Sequence, residues 1–208
     1  MRPFDFERAR QYALYQLEQK LSPSLFYHSL AHTRDDVVVA ARRLAAEEGV
    51  VGEARLLLLT AAYFHDIGFV YQRTNHEAIG ARMAAEALPR MGYGNAHVQL
   101  IQDMIMATQL PQRPHTLLER ILADADLDVL GREDFWLRNQ ALRAEMSIAG
   151  LSMTDEVWFS SQLRFLQTHH YFTLAACELR AEQKARNIER LAQWLAVCRA
   201  RNRQEAAR

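Results

Sequence analysis

Cysteine, glycine and proline are all scarce in this sequence, and so are long apolar runs. Two cysteines among 208 residues, Cys177 and Cys198, are too few for a disulfide framework. No apolar run approaches the ~20 residues that a membrane-spanning helix needs. The first sixteen residues, MRPFDFERARQYALYQ, lack the apolar core and small-residue cleavage site of a signal peptide. We therefore expect a cytoplasmic protein with no membrane partner.

An excess of charge of either sign is also missing. The chain has 25 Lys and Arg against 25 Asp and Glu, so its formal net charge is zero. Proteins that bind nucleic acid or acidic membranes through bulk charge carry a clear positive excess. Nucleic acid is therefore not an expected partner. The length suits one sizeable domain, and half of the residues are hydrophobic.

The few glycines and prolines fall between segments with helical periodicity, and no segment alternates as a strand does. The pattern predicts a first helix over Phe4 to Leu21. Ser22–Pro23 then has the residues of a helix start, and predicts a long helix that ends at Gly49. A later helix is expected to begin at Thr154, and the last one to end near Arg201 before a frayed basic tail. The fold class is all-α, as a single-domain helical bundle.

The centre of the sequence is the apolar stretch LLLLTAAYFHDIGF, from Leu56 to Phe69. A helix that is apolar all round is packed on every side. This one ends on His65–Asp66, and burying such groups is costly unless they are paired or coordinated. Two interpretations stay open from these residues alone. The pair binds a metal, or Asp66 caps the next turn while His65 bonds a backbone carbonyl.

Two other elements carry similar side chains. His28 and His32 are four residues apart, so one helix would place them on one face. Asp124, Asp126 and Asp128 repel one another within ILADADLDVLG. The aspartates fit a turn with helix caps, or they fit a bound dication. Imidazole and carboxylate groups suit Mn, Mg, Zn, Ni or Fe.

The order His, His-Asp, Asp along a helical chain resembles the HD superfamily of metal-dependent phosphohydrolases. The segment from Tyr27 to Thr33 is similar to the YHxxxHT element of that family, 65–68 to its HDIG element and 125–127 to its ADxL element. The resemblance runs from about Leu25 to Gly131. It implies one HD domain over residues 1–208, with a motif-bearing core at about 22–131 and helices of 132–203 packed on it. It implies a divalent metal ion held by His32, His65, Asp66 and Asp126, with Asp124 as the alternative fourth ligand.

The resemblance also implies catalytic roles. His28 would protonate the leaving oxygen or contact phosphate, and Asp66 would orient the attacking water as well as bind metal. His76 and Glu77 stand where members with two metals place a further histidine. Those members carry more histidines in the next helix, which here reads MIMATQLP. This departure favours one metal.

The implied function is hydrolysis of a small phosphorylated substrate, such as a nucleotide, by water on the metal. Monoester, diester and triphosphate substrates all stay open. The alternative is a catalytically silent regulatory protein that binds metal or a nucleotide. A di-iron oxygenase on the same fold is a third hypothesis, which the missing histidines disfavour. The terminal helices would support a homodimer.

Overall fold

The computed structural model describes residues 4–206, which form nine α-helices and no strand. The prediction of an all-α fold is confirmed. No helix among these residues has both the length and the apolar character to cross a membrane. The helices are α1 (Phe6–Lys20), α2 (Val38–Glu47), α3 (Gly52–Phe64), α4 (His76–Ala87), α5 (Asn95–Met106), α6 (Leu117–Asp126), α7 (Phe135–Ile148), α8 (Asp155–Thr168) and α9 (Leu174–Ala206).

The apolar helix α3 lies at the centre of the larger of two hydrophobic cores. Every residue from Leu57 to Phe64 is buried, against α1, α2, α5 and α6. Thr60 is the polar residue of this run, and its hydroxyl donates to the Leu56 carbonyl at 2.8 Å. The helix therefore carries no unpaired polar group into the core, and its C-terminal end delivers His65 and Asp66 to the protein interior.

The predicted helix start at Ser22–Pro23 is wrong. Residues 22–29 form turns and bends, and helical structure begins at Leu30. The reason is a buried carboxylate: Glu145 of α7 accepts the backbone N–H groups of Tyr27 and His28, at 2.8 and 3.0 Å. Those N–H groups are therefore satisfied without a helix. His28 and His32 do not share a helical face.

A π-helical turn, His32–Val37, leads into α2. Its wider winding is visible where the Val38 N–H bonds to the Thr33 carbonyl, five residues back. Single π-turns are rare and are frequently found at functional sites. This one carries His32 and Asp36.

The second, smaller core lies among α7, α8 and the C-terminal half of α9. Phe135, Trp158 and Leu166 are buried in it. Thr154 caps α8 as predicted, accepting the Val157 N–H. The helix α9 spans both cores, since Ala176 packs in the first and Leu191 in the second.

The expected helix end near Arg201 is also wrong, because α9 continues to Ala206. Three polar side chains of its last turns bond to the first turn of α8. Arg199 and Asn202 donate to Glu156 at 3.1 and 2.9 Å, and Arg201 donates to Asp155 at 3.2 Å. These contacts give the polar end of the helix a surface to pack on. The last two residues of the predicted tail lie outside the described residues.

Candidate metal centre

Four side chains from three parts of the chain meet beside α3. His32 comes from the π-turn, His65 and Asp66 follow α3, and Asp126 is the last residue of α6. His32 Nε2 lies 3.6 Å from Asp66 Oδ2 and 3.4 Å from Asp126 Oδ1. His65 Nε2 lies 3.3 Å and 3.5 Å from the same two oxygens. We call these four residues the His-Asp cluster. They are the four metal ligands expected from the sequence.

The facing atoms of the cluster are buried, and within the described residues they have no hydrogen-bond partner. This holds for His32 Nε2, His65 Nε2 and Asp66 Oδ2. Donors around one ion, with bonds of about 2.0–2.2 Å, stand roughly 3.0–3.5 Å apart. The cluster has this spacing, and its buried imidazole nitrogens and carboxylate oxygens need a common partner. His32, His65 and Asp66 therefore fit a metal ion.

The hydrogen bonds behind the cluster fix which nitrogen faces inward. His65 Nδ1 donates to the Ala62 carbonyl at 2.8 Å, so Nε2 is turned to the cluster. Such outer contacts orient the imidazole ligands of metals. One part of the alternative interpretation is therefore present, a histidine bonded to a backbone carbonyl. The other part is absent, because the Asp66 side chain makes no cap hydrogen bond to the turn that follows it.

The electrostatics of the cluster are those of two imidazoles packed against two carboxylates. Burial would lower the pKa of His65, but Asp66 beside it holds that pKa well above its ordinary value. Burial would raise the pKa of Asp126, but the close imidazoles of His32 and His65, at 3.4 and 3.5 Å from its Oδ1, lower that pKa to about 2. The carboxylates are thus held in the charged form, and each depends on a positive partner. Protonated imidazoles supply this positive charge in the metal-free protein, and a bound dication would supply it in the metal-loaded protein.

The three aspartates of α6 and the turn after it point in three directions. Asp124 accepts the N–H groups of Phe172 and Thr173 and the Thr173 hydroxyl, at 2.7–2.9 Å. Asp128 is paired with Arg43 and Arg180. Asp126 alone of the three lies against the imidazoles. The geometry therefore favours Asp126 over Asp124 as the fourth ligand.

His76 and Glu77 lie at the edge of the cluster. His76 Nδ1 donates to the Arg73 carbonyl at 3.0 Å, which leaves Nε2 at 3.4 Å from Asp66 Oδ1. Burial would lower the pKa of His76, but Asp66 raises it. Glu77 Oε2 is 3.5 Å from His76 Nδ1. Asp66 thus presents one oxygen to the cluster and the other to His76.

Gly68 of the HDIG element is required by the close approach of α4. A Cβ atom at this position would lie 2.0 Å from the backbone oxygen of His76. The next residue, Phe69, packs its ring against both imidazoles, with centroids 4.3 Å from His28 and 4.1 Å from His76, and the two imidazole centroids are 6.3 Å apart. The glycine lets α4 approach closely, and the aromatic ring packs beside His28 and His76, which both line the cavity described below.

His28 is held by a residue that the sequence did not single out. Its Nδ1 lies 2.6 Å from Glu145 Oε1, and Arg73 also contacts this carboxylate. Burial would raise the pKa of Glu145, but the hydrogen bond from His28 and its other donors lower it to about 2. Glu145 lies in an amphipathic segment, FWLRNQALRAEMSI, with no motif around it, so no local signal marks it.

A cavity of about 390 Å³ opens from the cluster toward the C-terminal helices. His28, Asp66, His76, Glu77 and Asp126 line one side of it. Residues of α7 and α8 also line it, and we call five of them the C-terminal wall: Asn139, Leu142, Ser161, Gln162 and Phe165. The rest of the lining is largely apolar and includes Tyr27, Thr108 and Arg138. Small-molecule sites are usually such apolar cavities with a few polar groups, of about 300–1,000 Å³.

Comparisons with known proteins agree with this geometry. A model of the HD domain matches residues 26–128. A predicted HD superfamily hydrolase from an uncultured Thermotogales bacterium superposes with a TM-score of 0.59 at 21% identity, over 91% of each chain. A protein from Lactobacillus plantarum superposes with a TM-score of 0.69 at 20% identity, over 94% of this chain and 97% of that one. At these identities the likeness shows the fold alone. No curated protein matches the chain.

Proposed function

We propose that this chain, which belongs to the HD domain family, is a metal-dependent phosphohydrolase acting on a small phosphorylated molecule. The family expected from the motifs is confirmed by the match over residues 26–128. One observation carries the proposal: His32 Nε2, His65 Nε2 and Asp66 Oδ2 converge, buried and without a partner in the described residues, beside a cavity of ligand size. The metal ligands we propose are His32, His65, Asp66 and Asp126.

A bound dication (Mn, Mg, Zn, Ni or Fe) supplies a Lewis acid for a phosphoryl oxygen and lowers the pKa of water. The protein contributes the proton transfers. Asp66 Oδ1 faces away from His32 and His65, 3.4 Å from His76 Nε2. We assign to this oxygen the orientation of the attacking water, with His76 taking up its proton. Glu77, at 3.5 Å from the other His76 nitrogen, stabilises the charge that results.

His28 is placed to protonate the leaving oxygen. Its Nδ1 is tied to Glu145, so Nε2 is the nitrogen left to face the cavity. A buried carboxylate behind an imidazole fixes the orientation of the ring, so that the other nitrogen is held toward the position of the leaving oxygen. Glu145 is therefore a positioning residue for His28.

The segment that follows α5 supports the binding of one metal ion rather than two. Thr108, rather than a histidine, borders the cavity there, and its hydroxyl donates to the Ile105 carbonyl at 2.8 Å. A second ion would lack the ligands that this segment supplies in relatives with two metals. We expect a stoichiometry of one ion per chain. The homodimer and the cytoplasmic location stay predictions, and so does a single domain over the whole chain.

The test is reconstitution of the metal-depleted protein with each of the five metals in turn. Phosphate release is then measured from aryl phosphates, nucleoside monophosphates, cyclic and linear diesters and triphosphates. We expect turnover with at least one metal, and none for Asp66→Asn under the same conditions. If metal binds at one ion per chain and no substrate is hydrolysed, the regulatory alternative replaces this proposal.

A further inference from the structure

The C-terminal wall contains a short chain of hydrogen bonds that ends at the cavity. Trp158 Nε1 donates to Asn139 Oδ1 at 2.9 Å, and Asn139 Nδ2 donates to Gln162 Oε1 at 2.6 Å. Trp158 and Asn139 are buried, with 1% and 4% of their surface exposed. Gln162 lines the cavity. None of these three residues belongs to the segment matched by the HD domain model.

The direction of these hydrogen bonds follows from the indole of Trp158. An indole N–H can only donate, so the amide atom facing it must be the oxygen of Asn139. The Asn139 NH₂ group then faces Gln162, and the Gln162 atom that meets it must be the oxygen. The Gln162 NH₂ group is left without an acceptor among residues 4–206. The buried indole thus fixes Gln162 as a hydrogen-bond donor at the cavity.

The cationic side chains that line the cavity limit the number of phosphate groups that a ligand can carry. Among its lining residues, Arg138 is the one Lys or Arg. Its Nη2 lies 2.9 Å from Asp36 Oδ2, and its Nε lies 3.5 Å from Asp134. Asp36 is also paired with Arg132 at 2.7 Å. Arg138 is therefore neutralised, and the cavity has no spare cationic side chain for additional phosphate groups.

The remaining lining is largely apolar, with Leu127, Leu130, Phe135, Leu142 and Phe165 among the residues that face the space. A sugar phosphate with many hydroxyl groups would leave those groups without partners against this surface. A leaving group with apolar faces and one acceptor directed at Gln162 would have all of its polar groups paired. The size, charge and donor of the cavity thus describe one kind of ligand.

From this we infer that the substrate is a phosphomonoester with a single phosphoryl group, whose leaving group is a largely apolar body carrying a hydrogen-bond acceptor, selected by Gln162. The inference rests on the proposed function. The phosphoryl group meets the His-Asp cluster, and the body extends across the cavity to the C-terminal wall. Deoxynucleoside 5′-monophosphates are one class with these features, because their sugar carries a single free hydroxyl group and their planar bases carry carbonyl or ring-nitrogen acceptors.

The first experiment compares four probes on the metal-loaded protein: thymidine 5′-monophosphate, phenyl phosphate, glycerol 3-phosphate and thymidine 5′-triphosphate. Thymidine monophosphate is expected to have the highest kcat/KM, with the triphosphate at least about tenfold lower for want of cations. In Gln162→Leu, KM for thymidine monophosphate is expected to rise about three- to tenfold, the value of one neutral hydrogen bond. Phenyl phosphate, which has no acceptor on its ring, is expected to be unaffected.

Two further variants separate a contact with substrate from a change in packing. Gln162→Glu puts an acceptor where the donor was, so it should raise KM more than Gln162→Leu does. Gln167→Glu is its matched control, since Gln167 is exposed on the same helix. Trp158→Phe keeps the aromatic packing and removes the indole N–H. Without the indole N–H, the side-chain amides of Asn139 and Gln162 can both flip, so Gln162 no longer always presents its NH₂ group to the cavity. The preference for thymidine monophosphate over phenyl phosphate should therefore fall by about two- to threefold.

Binding of thymidine, the dephosphorylated body, to the metal-free protein gives a readout that needs no turnover. Equilibrium dialysis should show weaker binding to Gln162→Leu by the same factor as the rise in KM. If phosphomonoesters are hydrolysed but Gln162→Leu keeps the wild-type preference, the inference is overturned and the proposed function stands. If no phosphate ester is hydrolysed, the proposed function fails. In that case, thymidine binding that depends on Gln162 would still support the ligand site. If thymidine binding did not depend on Gln162, the proposed function and the inference would both be overturned.

Discussion

The two sides of the cavity differ in chemistry and in tolerance to change. The His-Asp cluster brings charged atoms together in a buried place, where the energy of each depends strongly on its partners. The C-terminal wall consists of apolar side chains, one serine hydroxyl and two neutral amides, and the contribution of each polar group to binding is small. A substitution in the cluster is therefore expected to abolish activity, whereas a substitution in the wall is expected to change only which substrate is preferred.

The largest expected effect separates two neighbouring aspartates. Asp126→Asn should lose metal and reduce activity about 1,000-fold, because an amide oxygen is a poor substitute for an anionic ligand. Asp124→Asn should keep the metal. It should lower the free energy of unfolding by about 2 kcal/mol, since the Phe172 and Thr173 N–H groups bond to different oxygens of Asp124, and the NH₂ group that replaces one of these oxygens cannot accept. Metal analysis and urea unfolding of both variants provide the measurement.

The opposite pattern, with metal lost from Asp124→Asn and retained in Asp126→Asn, would mean that the fourth ligand is assigned to the wrong residue.

The next effect concerns the backbone that supports the cluster. Gly68→Ala should destabilise the protein by about 3 kcal/mol and lower its metal content, because the new Cβ would meet the His76 backbone oxygen at 2.0 Å. Gly94→Ala is the matched control, since nothing lies within 4 Å of its Cβ position. It should stay within about 0.5 kcal/mol of the wild type. Equal stabilities of the two variants would contradict the close approach of α4.

A smaller effect is expected where the two sides are connected, at His28 and Glu145. With metal retained, His28→Gln should lower kcat about 100-fold and Glu145→Gln about tenfold. Both losses should shrink for 4-nitrophenyl phosphate, whose leaving group needs little protonation. Glu133→Gln, an exposed glutamate near the start of α7, is the control. A loss that is equal for good and poor leaving groups would exclude His28 as the general acid.

The smallest effect is a pH dependence of stability. The pKa of Glu145 is lowered from 4.5 to about 2 in the folded protein, so its stabilisation is complete above the unfolded pKa. That stabilisation is lost as the pH falls through about 2. In the metal-free protein, Glu145→Gln should cost about 2 kcal/mol near neutral pH and less than about half of this at about pH 3. Urea unfolding at the two pH values measures it, and a difference that does not change with pH would disprove the linkage.

Much of the fold and of the cluster could be predicted from the sequence, for physical reasons. A helix that is apolar all round has to be central, and α3 is. Histidines and aspartates in an apolar setting need partners, and His32, His65 and Asp126 do converge. The predicted helix through His28 failed because its N–H groups bond to Glu145, which is 117 residues away. Local propensity contains no information about such a partner.

The sequence by itself determined the fold class and the residues proposed as metal ligands, since helical periodicity is local and charged side chains in an apolar segment stand out from their neighbours. Only the tertiary structure decided what surrounds them. Glu145, Asn139 and Gln162 are ordinary residues on amphipathic helices, and their importance comes from the tertiary packing, which sets Glu145 against His28 and brings Asn139 and Gln162 to the cavity. Which of three aspartates faces the imidazoles was likewise decided by the packing of α6. A hydrogen bond between distant segments has no signature in either segment alone, because it exists only after both are folded.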